Sequence, residues 1–203
     1  MIGPVCVLTD PGAPTPVIEQ ARAAARGGAW AVQLRDKTAT DAALHALATA
    51  LLPELEALGV RLIVNDRIEV ALAAGAHGLH IGQGDGDPAQ ARARLGPGRI
   101  LGLSVETPEQ ARLVPAGVDY IGAGPVRATA TKPDHAAPVG MAGLARIAAE
   151  VAVPTVAIGG LGPGDAAALK AAGAAGLAVV TAVARAADPE AATRALLREW
   201  SAA

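Results

Sequence analysis

Two carboxylates of the sequence, Asp66 and Asp85, stand where they could share one divalent cation. Asp66 follows the apolar run 61–64, and Asp85 lies in a glycine-rich stretch after the apolar run 78–80. If these runs are neighbouring parallel strands, their ends lie side by side and both carboxylates can converge on one ion. Oxygen ligands without a cluster of His and Cys favour Mg²⁺ over a transition metal. The alternative is that each carboxylate caps the following helix, which is the more common role for a residue placed like Asp66.

Two cations and an amide follow the second apolar run. Gln33, Arg35 and Lys37 occupy alternate positions, so on an extended chain they point the same way, while Leu34 and Asp36 point the other way. The pattern predicts a pocket wall that can bind an anion. A solvated strand end with an ion pair inside the pentapeptide explains these residues equally well, so the motif alone is weak evidence.

A long segment between Gly124 and Gly140 indicates further anion ligands. It carries Thr129, Thr131 and Lys132 and is longer than the usual connection from a strand to a helix. Long loops in compact domains often bind ligands, so we expect these residues to complete an anion site with the cations across the pocket mouth. The alternative is a surface insertion without a binding role.

Residues near the end of the chain indicate a phosphate site. Gly159 and Gly160 follow the seventh apolar run, and Thr181 follows the eighth. Barrels of alternating strands and helices often bind phosphate after these two strands, where a helix begins and its N–H groups are free. The sequence therefore predicts a pocket for two anionic groups, one bound to metal and cations and one a monophosphate. Such a pocket suggests a reaction that joins two phosphorylated molecules.

The strands and helices that position these residues can be predicted from the sequence. Apolar runs alternate with alanine-rich segments of helical spacing, and Gly, Pro, Asn or Asp separate them. Eight parallel strands either close into a barrel or open into a doubly wound sheet, and the length of 203 residues favours the barrel. No linker indicates a second domain, so we expect an α/β protein with one (β/α)8 TIM barrel over residues 1–203. The predicted strands are 5–8, 31–34, 61–64, 78–80, 100–103, 120–123, 155–158 and 177–180. The predicted helices are 17–26, 42–58, 67–74, 88–95, 108–114, 142–150, 164–172 and one that ends near Trp200.

Start and stop signals support these helices. Asp87-Pro88 and Thr107-Pro108 each place a capping oxygen before a proline at the first helical position. Six glycines are expected just past helix ends in a left-handed conformation. They are Gly27, Gly59, Gly75, Gly96, Gly117 and Gly173.

Composition excludes several classes of protein. The chain has 17 Lys and Arg against 19 Asp and Glu, so we expect no nucleic-acid partner. Its longest charge-free stretches, 151–164 and 171–184, have 14 residues each, short of the roughly 18 that span a bilayer, so no membrane segment is expected. No secretory signal is expected, because no basic segment precedes the apolar run 5–8, and Cys6 is the only cysteine. A cytoplasmic protein without disulfides is expected, with Cys6 in the core. Apolar residues make up 52% of the chain and aromatic ones 1%, so thin side chains must build the core.

Eight motifs, in order, resemble those of the thiamine-phosphate synthase (thiamine-phosphate pyrophosphorylase) family. They extend over essentially the whole chain, and together they are highly specific although each alone is not. The motifs are Gln33-Leu34-Arg35-Asp36-Lys37, Val64-Asn65-Asp66, the segment 79–85, Gly102-Leu103-Ser104, the segment 119–125, Thr129-Ala130-Thr131-Lys132, Ala157-Ile158-Gly159-Gly160 and Ala178-Val179-Val180-Thr181.

The resemblance implies a transferase with Mg²⁺ as its cofactor. The family joins a hydroxymethylpyrimidine diphosphate to a thiazole monophosphate, for which a carboxylated tautomer is a further candidate, and releases diphosphate and thiamine phosphate. The expected course is a dissociative substitution at a carbocation-like carbon, in which Arg35, Lys37, Ser104 and Lys132 take part. By resemblance the metal ligands are Asp66 and Asp85; the ligands of the pyrimidine diphosphate are Gln33, Arg35, Lys37, Asn65, Ser104 and Lys132; those of the thiazole phosphate are Thr129, Thr131, Gly160, Val180 and Thr181.

The chain departs from the family pattern at two places. Glu106 stands where relatives commonly carry His, and Arg127 stands in the long loop where an aromatic residue is usual. Neither position belongs to the expected metal or diphosphate ligands. His80 is expected to be structural, with its polar ring atoms satisfied near the strand end.

Two other functions fit parts of the sequence. A thiazole tautomerase-like isomerase has a similar fold, but that family lacks the carboxylates corresponding to Asp66 and Asp85 and relies on a His near the position of Glu106. A non-catalytic barrel that binds thiamine precursors could carry the same residues, and it would differ from the synthase only in that it does not convert the bound molecules. The expected partners are small-molecule substrates, and the alanine-rich helices could also form the interface of a homodimer.

Overall fold

Each apolar run of the sequence forms one strand, and each strand is followed by at least one helix. The structure, a computed structural model, describes residues 2–129 and 136–203. The strands are β1 (Val5–Leu8), β2 (Ala31–Leu34), β3 (Arg61–Asn65), β4 (Gly78–Ile81), β5 (Ile100–Val105), β6 (Tyr120–Ala123), β7 (Thr155–Ile158) and β8 (Gly176–Val179). They pair in parallel in chain order, and β8 pairs with β1 to close the barrel. The predicted (β/α)8 barrel is confirmed.

Helices cover the outside of the barrel. They are α1 (Val17–Arg26), α2 (Asp41–Ala57), α3 (Ile68–Ala73), α4 (Pro88–Leu95), α5 (Pro108–Arg112), α6 (Gly140–Ala149), α7 (Ala166–Ala171), α8 (Thr181–Ala184) and α9 (Pro189–Ala202). Only α8 had no counterpart in the sequence prediction, because four residues are too few to show helical periodicity. In the part of the chain that the structure describes, no helix has the length and apolarity needed to cross a membrane.

The predicted helix caps are present, with two exceptions among the stop glycines: Gly27, and Gly117, which lies five residues beyond the end of α5 at Arg112. Asp87 accepts a hydrogen bond from the N–H of Ala89 at 2.9 Å, and Thr107 accepts one from Gln110 at 3.2 Å. The prediction for Gly27 was wrong: its φ is −70°, and Gly28 takes the left-handed conformation with φ 90°. The turn after α1 is therefore one residue longer than predicted.

Alternation along the strands divides the apolar side chains between two layers. Val5 and Val7 of β1 point outward and pack with the helices, in the core cluster that also holds the buried leucines of α2. Cys6 and Leu8 point inward and pack in a smaller cluster inside the barrel. Cys6 is buried as predicted, and burial raises the pKa of its thiol to about 12, so it is an unreactive packing residue.

Glycines on two neighbouring strands make room for the rings of His80 and Tyr120. Gly102 of β5 lies directly against the rings of Tyr120 and His80, and a Cβ atom there would overlap both. A Cβ atom on Gly122 of β6 would lie 3.0 Å from the His80 ring. The edge of the Trp30 ring meets Tyr120 at an interplanar angle of 90°. The scarcity of aromatic residues is thus consistent with a narrow barrel in which a few rings fill the space left by glycines.

Candidate active site

A pocket opens at the carboxyl ends of the strands, where a barrel of this type places its chemistry. Eleven of the predicted site residues line it: Gln33, Arg35, Lys37, Asn65, Asp66, Asp85, Ser104, Thr129, Gly160, Val180 and Thr181. Two further predicted ligands, Thr131 and Lys132, lie outside the described residues. The structure therefore brings together all the predicted site residues that it describes.

The two carboxylates lie next to each other, as predicted. Asp66 follows β3, and its N–H donates to the carbonyl oxygen of His80 on β4 at 2.8 Å. Its φ of 62° is left-handed, an uncommon conformation for a residue other than glycine and one that is often found at functional sites. Burial, together with the neighbouring Asp85, raises the pKa of Asp66. A divalent cation would relieve the repulsion between the two carboxylates that contributes to this raised pKa.

Helix capping does not account for these carboxylates. The residue that precedes α3 is Arg67, and no side chain caps that helix. The Asp85 carboxylate accepts the N–H of Gly82 at 2.7 Å, which closes the turn after β4 but leaves the start of α4 to Asp87. Both acidic side chains therefore face the pocket, and their donor set of hard oxygen atoms fits Mg²⁺.

The end of β2 presents alternate side chains to the pocket, as predicted. Gln33, Arg35 and Lys37 line the pocket, whereas Leu34 is fully buried in the outer core. Asp36 turns away and accepts hydrogen bonds from the backbone of its own loop. An ion pair is present here, but it does not lie inside the pentapeptide. It joins Lys37 Nζ to Asp66 Oδ2 on the next strand at 3.3 Å, so the cation and the acidic pair belong to one cluster.

A buried hydrogen-bond chain forms the floor of the pocket. His80 Nδ1 lies 2.9 Å from the Tyr120 hydroxyl, and His80 Nε2 lies 3.0 Å from Ser104 Oγ. The side chain of Gln33 also interacts with the Tyr120 hydroxyl and acts to lower its pKa, against the larger effect of burial. The structure thus places His80 as predicted, with both ring nitrogens satisfied. Sequence reasoning missed Tyr120, although the only tyrosine of the chain at an inward position of β6 was a usable signal.

The His80 ring is neutral near pH 7, because burial lowers its pKa from 6.5 to about 4. The unfolded chain therefore binds one more proton than the folded chain between these two values. We expect this group to weaken folding as the pH falls from about 6.5 to about 4, by up to about 3 kcal/mol. Comparing the free energies of unfolding of the wild type and His80→Gln at about pH 7 and about pH 4.5 measures the effect, and the variant should lose less stability. Equal losses in both proteins would show that the ring titrates normally.

The opposite side of the pocket carries the predicted phosphate ligands. Gly160 has a φ of 63°, and Gly160 and Thr181 both line the pocket. Two N–H groups at the start of the helix after Gly160, which was predicted to offer free N–H groups to a phosphate, already have a partner. The Glu199 carboxylate of α9 accepts the N–H groups of Gly164 and Ala166 at 2.9–3.0 Å and so occupies the start of α7. A phosphate would depend instead on the Gly160 turn and the residues around Thr181.

The two departures from the family pattern lie on different sides of the site. Glu106 lines the pocket, and its N–H donates to the side chain of Gln110 at 2.7 Å. Arg127 points away from the pocket and pairs with Asp165. No signal in the sequence indicated Asp165 as its partner, because the two residues are 38 positions apart.

Comparisons with known proteins agree with this geometry. Residues 5–183 match the family model described as thiamine monophosphate synthase. The chain is 48% identical over 197 residues to a thiamine-phosphate synthase from Roseiflexus castenholzii, across 96% of this chain and 86% of the relative. It is 50% identical over 193 residues to a thiamine-phosphate synthase from Xanthobacter autotrophicus, across 94% and 92%. A solved thiamine phosphate pyrophosphorylase from Pyrococcus furiosus superposes with a TM-score of 0.89 at 33% identity, across 98% of this chain and 96% of that one.

Proposed function

The chain belongs to the thiamine monophosphate synthase family, and we propose that its pocket binds the two substrates of the synthase reaction on opposite sides. The protein is a transferase that makes thiamine phosphate from a pyrimidine diphosphate and a thiazole phosphate. The diphosphate binds on the side of β2, β3 and β4, where Lys37, Asp66 and Asp85 lie. The thiazole phosphate binds on the side of β7 and β8, beside Gly160 and Thr181.

The order of the strands is the observation that supports this division. The barrel is closed in chain order, so β3 lies across the barrel from β7, and β4 lies across from β8. The acidic pair and its lysine therefore face the glycine turn and Thr181 across one pocket. Two anions held on opposite walls leave the centre of the pocket for the carbon and the nitrogen that must be joined.

Asp66 and Asp85 are the residues that would hold Mg²⁺. The ion supplies positive charge to the oxygen atoms of the diphosphate when bound. Lys37 already neutralises part of the acidic pair through its ion pair with Asp66. In the reacting complex its ammonium group is placed to contact the diphosphate as well. Asn65, which ends β3, adds an uncharged hydrogen-bonding group beside the pair.

The side chains on the diphosphate side act on the bond that breaks. When the CH₂–O bond ionises, its electron pair leaves with the diphosphate, and negative charge grows on the departing oxygen. Arg35 and Lys37 stabilise this charge more strongly in the transition state than in the ground state. Among the described residues the Arg35 side chain has neither a hydrogen bond nor an ion pair, so its guanidinium group is available to an anion. Lys132 stays a predicted ligand of the same diphosphate.

The floor of the pocket orients the pyrimidine. The His80 ring holds Ser104 in a fixed direction, and Gln33 is buried beside the Tyr120 hydroxyl with which it interacts. A neutral imidazole can donate one hydrogen bond and accept another, so the chain of bonds needs no buried charge. The thiazole nitrogen then attacks a carbon that is already in place. The two substrates lost their translational and rotational entropy when they bound, so this cost does not add to the barrier of the reaction step. No group of the protein has to remove a proton from the attacking nitrogen.

A turnover assay tests the proposal. Release of diphosphate should require the pyrimidine diphosphate, the thiazole phosphate and Mg²⁺ together, and chelation of the metal should abolish it. Binding of both substrates without release of diphosphate would instead identify a non-catalytic binding barrel. Conversion of a thiazole phosphate alone, without the pyrimidine, would identify an isomerase. Assaying the thiazole phosphate and its carboxylated tautomer side by side establishes which one is used.

Further proposals concern the state of the protein in the cell. We propose a cytoplasmic enzyme, because the single cysteine is buried and small phosphorylated substrates are made inside cells. A homodimer formed through the alanine-rich helices and the absence of a nucleic-acid partner stay predictions from the sequence. Sedimentation equilibrium of the purified chain measures the first of these directly.

A further inference from the structure

Arg127 forms a bidentate ion pair with Asp165, a contact of two hydrogen bonds, at the edge of the pocket. Its Nη1 donates to Asp165 Oδ2 at 2.8 Å, and its Nη2 donates to Asp165 Oδ1 at 2.7 Å. Arg127 lies four residues after β6, and Asp165 immediately precedes α7. The planar guanidinium group matches the carboxylate in both distance and direction, which a lysine at the same place could not do. The contact therefore fixes two loops of the barrel relative to each other.

The carboxylate of this pair is more buried than the cation. Asp165 is 7% exposed, whereas the side chain of Arg127 is 51% exposed. The Arg127 guanidinium lowers the pKa of Asp165, and the N–H of Gly162 also donates to its carboxylate at 2.9 Å. Without Arg127, a buried charge would lose its only cationic partner among the described residues. An unpaired buried carboxylate is unfavourable, so we expect the loop that carries Asp165 to shift toward solvent.

The pair encloses the glycine turn that was assigned to the thiazole phosphate. Two backbone hydrogen bonds continue the pairing of β6 and β7 beyond the strands, from Val126 to Ile158 at 2.8 Å and from Arg127 to Gly159 at 2.9 Å. The guanidinium also donates to the carbonyl oxygen of Gly160 at 3.3 Å. A Cβ atom on Gly160 would lie 2.8 Å from the Cβ atom of Arg127, so turn and side chain are in direct contact.

We propose that Arg127 is a positioning residue that, through its ion pair with Asp165, holds the Gly160 turn in the conformation that binds the thiazole phosphate. The inference rests on the proposed placement of that substrate beside Gly160 and Thr181. Arg127 does not line the pocket, whereas Thr129, two residues later, does. The ion pair therefore connects the segment that carries Gly160 to the segment that carries Thr129, and both residues line the pocket.

Steady-state kinetics of Arg127→Ala test the proposal. We expect the KM for the thiazole phosphate to rise about tenfold, while kcat at saturation and the KM for the pyrimidine diphosphate change less than about threefold. Arg127→Lys should raise the same KM by a smaller factor, because it keeps the charge but loses the two-bond geometry. If Arg127→Ala folds poorly, Asp165→Asn replaces it in the test, because the amide keeps the shape of the side chain and removes its charge. Asp165→Asn should show the same selective rise in the KM for the thiazole phosphate.

Arg112→Ala is the matched control. Arg112 also makes a two-bond contact, with Glu150 at 2.9 and 3.0 Å, and its side chain is 54% exposed. It joins α5 to the end of α6, away from the pocket. Its removal should leave both KM values unchanged. If Arg127→Ala raises neither KM, raises both equally, or behaves like Arg112→Ala, the positioning role is wrong.

A further variant separates this inference from the proposed function. The double change Thr129→Val and Thr181→Val removes two hydroxyls from the pocket without touching the ion pair. A selective rise in the KM for the thiazole phosphate in this variant supports the placement of the substrate. If the double variant shows the rise and Arg127→Ala does not, only the positioning role fails. If the double variant shows no rise, the placement itself is wrong and the inference fails with it.

Discussion

Replacing Asp85 by Ala is expected to lower kcat by roughly 100-fold to 1000-fold while the protein stays folded. A metal ion that stabilises a departing diphosphate contributes several kcal/mol to catalysis, and each 1.4 kcal/mol corresponds to about a factor of ten. Asp85 lies in a loop on the pocket rim, where its loss leaves no cavity in the core. Turnover measured across a series of Mg²⁺ concentrations should show that the variant needs far more metal for its residual activity.

Two further variants isolate the cause of that loss. Asp85→Asn keeps the size of the side chain and can still accept the N–H of Gly82, so it preserves the turn and removes only the charge. We expect it to lose nearly as much activity as Asp85→Ala. Asp87→Ala is the control, because it makes the same change two residues away and removes only the cap of α4. It should cost about 1 kcal/mol of stability and no activity. Full activity of Asp85→Ala with an unchanged Mg²⁺ dependence would refute the metal assignment.

Replacing Lys37 by Ala is expected to slow the chemical step by roughly 100-fold to 1000-fold. Removing one preorganised group that stabilises transition-state charge typically costs about 3–4 kcal/mol. The KM for the thiazole phosphate should change little, because its proposed ligands lie across the barrel on β7 and β8. Single-turnover measurements at saturating substrate separate the chemical step from binding.

Lys170→Ala is the control for this second variant. Lys170 is on α7, and its ammonium group lies 5.4 Å from the centre of the Trp200 ring, outside the pocket. It should be as active as the wild type. A Lys37→Ala enzyme with a normal chemical step and a weakened affinity for the thiazole phosphate would show that the two anion sites have been exchanged.

The barrel and most of its site could be predicted because both depend on local patterns. Each strand is a short apolar run with a polar residue at its end, and the parallel arrangement brings those ends to one face. Asp66 and Asp85 are an example: their separation in the chain is uninformative, but their positions after neighbouring strands placed them together. The same rule correctly separated Leu34 from the inward side chains of β2.

Contacts between distant side chains could not be predicted in the same way. The Glu199 carboxylate reaches the start of α7 from a helix more than thirty residues later, so two of the N–H groups at the helix that was expected to bind phosphate are already hydrogen-bonded. The hydrogen-bond chain through Tyr120 and His80 depends on the close approach permitted by Gly102. Such pairings depend on the three-dimensional packing of the closed barrel, and a single sequence carries no periodic signal for them.

A crystal soaked with Mn²⁺ in place of Mg²⁺, together with diphosphate, tests the division of the pocket most directly, because anomalous scattering locates the ion. We expect one ion bound by carboxylate oxygens of both Asp66 and Asp85, with the diphosphate between that ion and Lys37. An ion bound away from the two carboxylates, or a diphosphate seated on Gly160 and Thr181, would contradict the account.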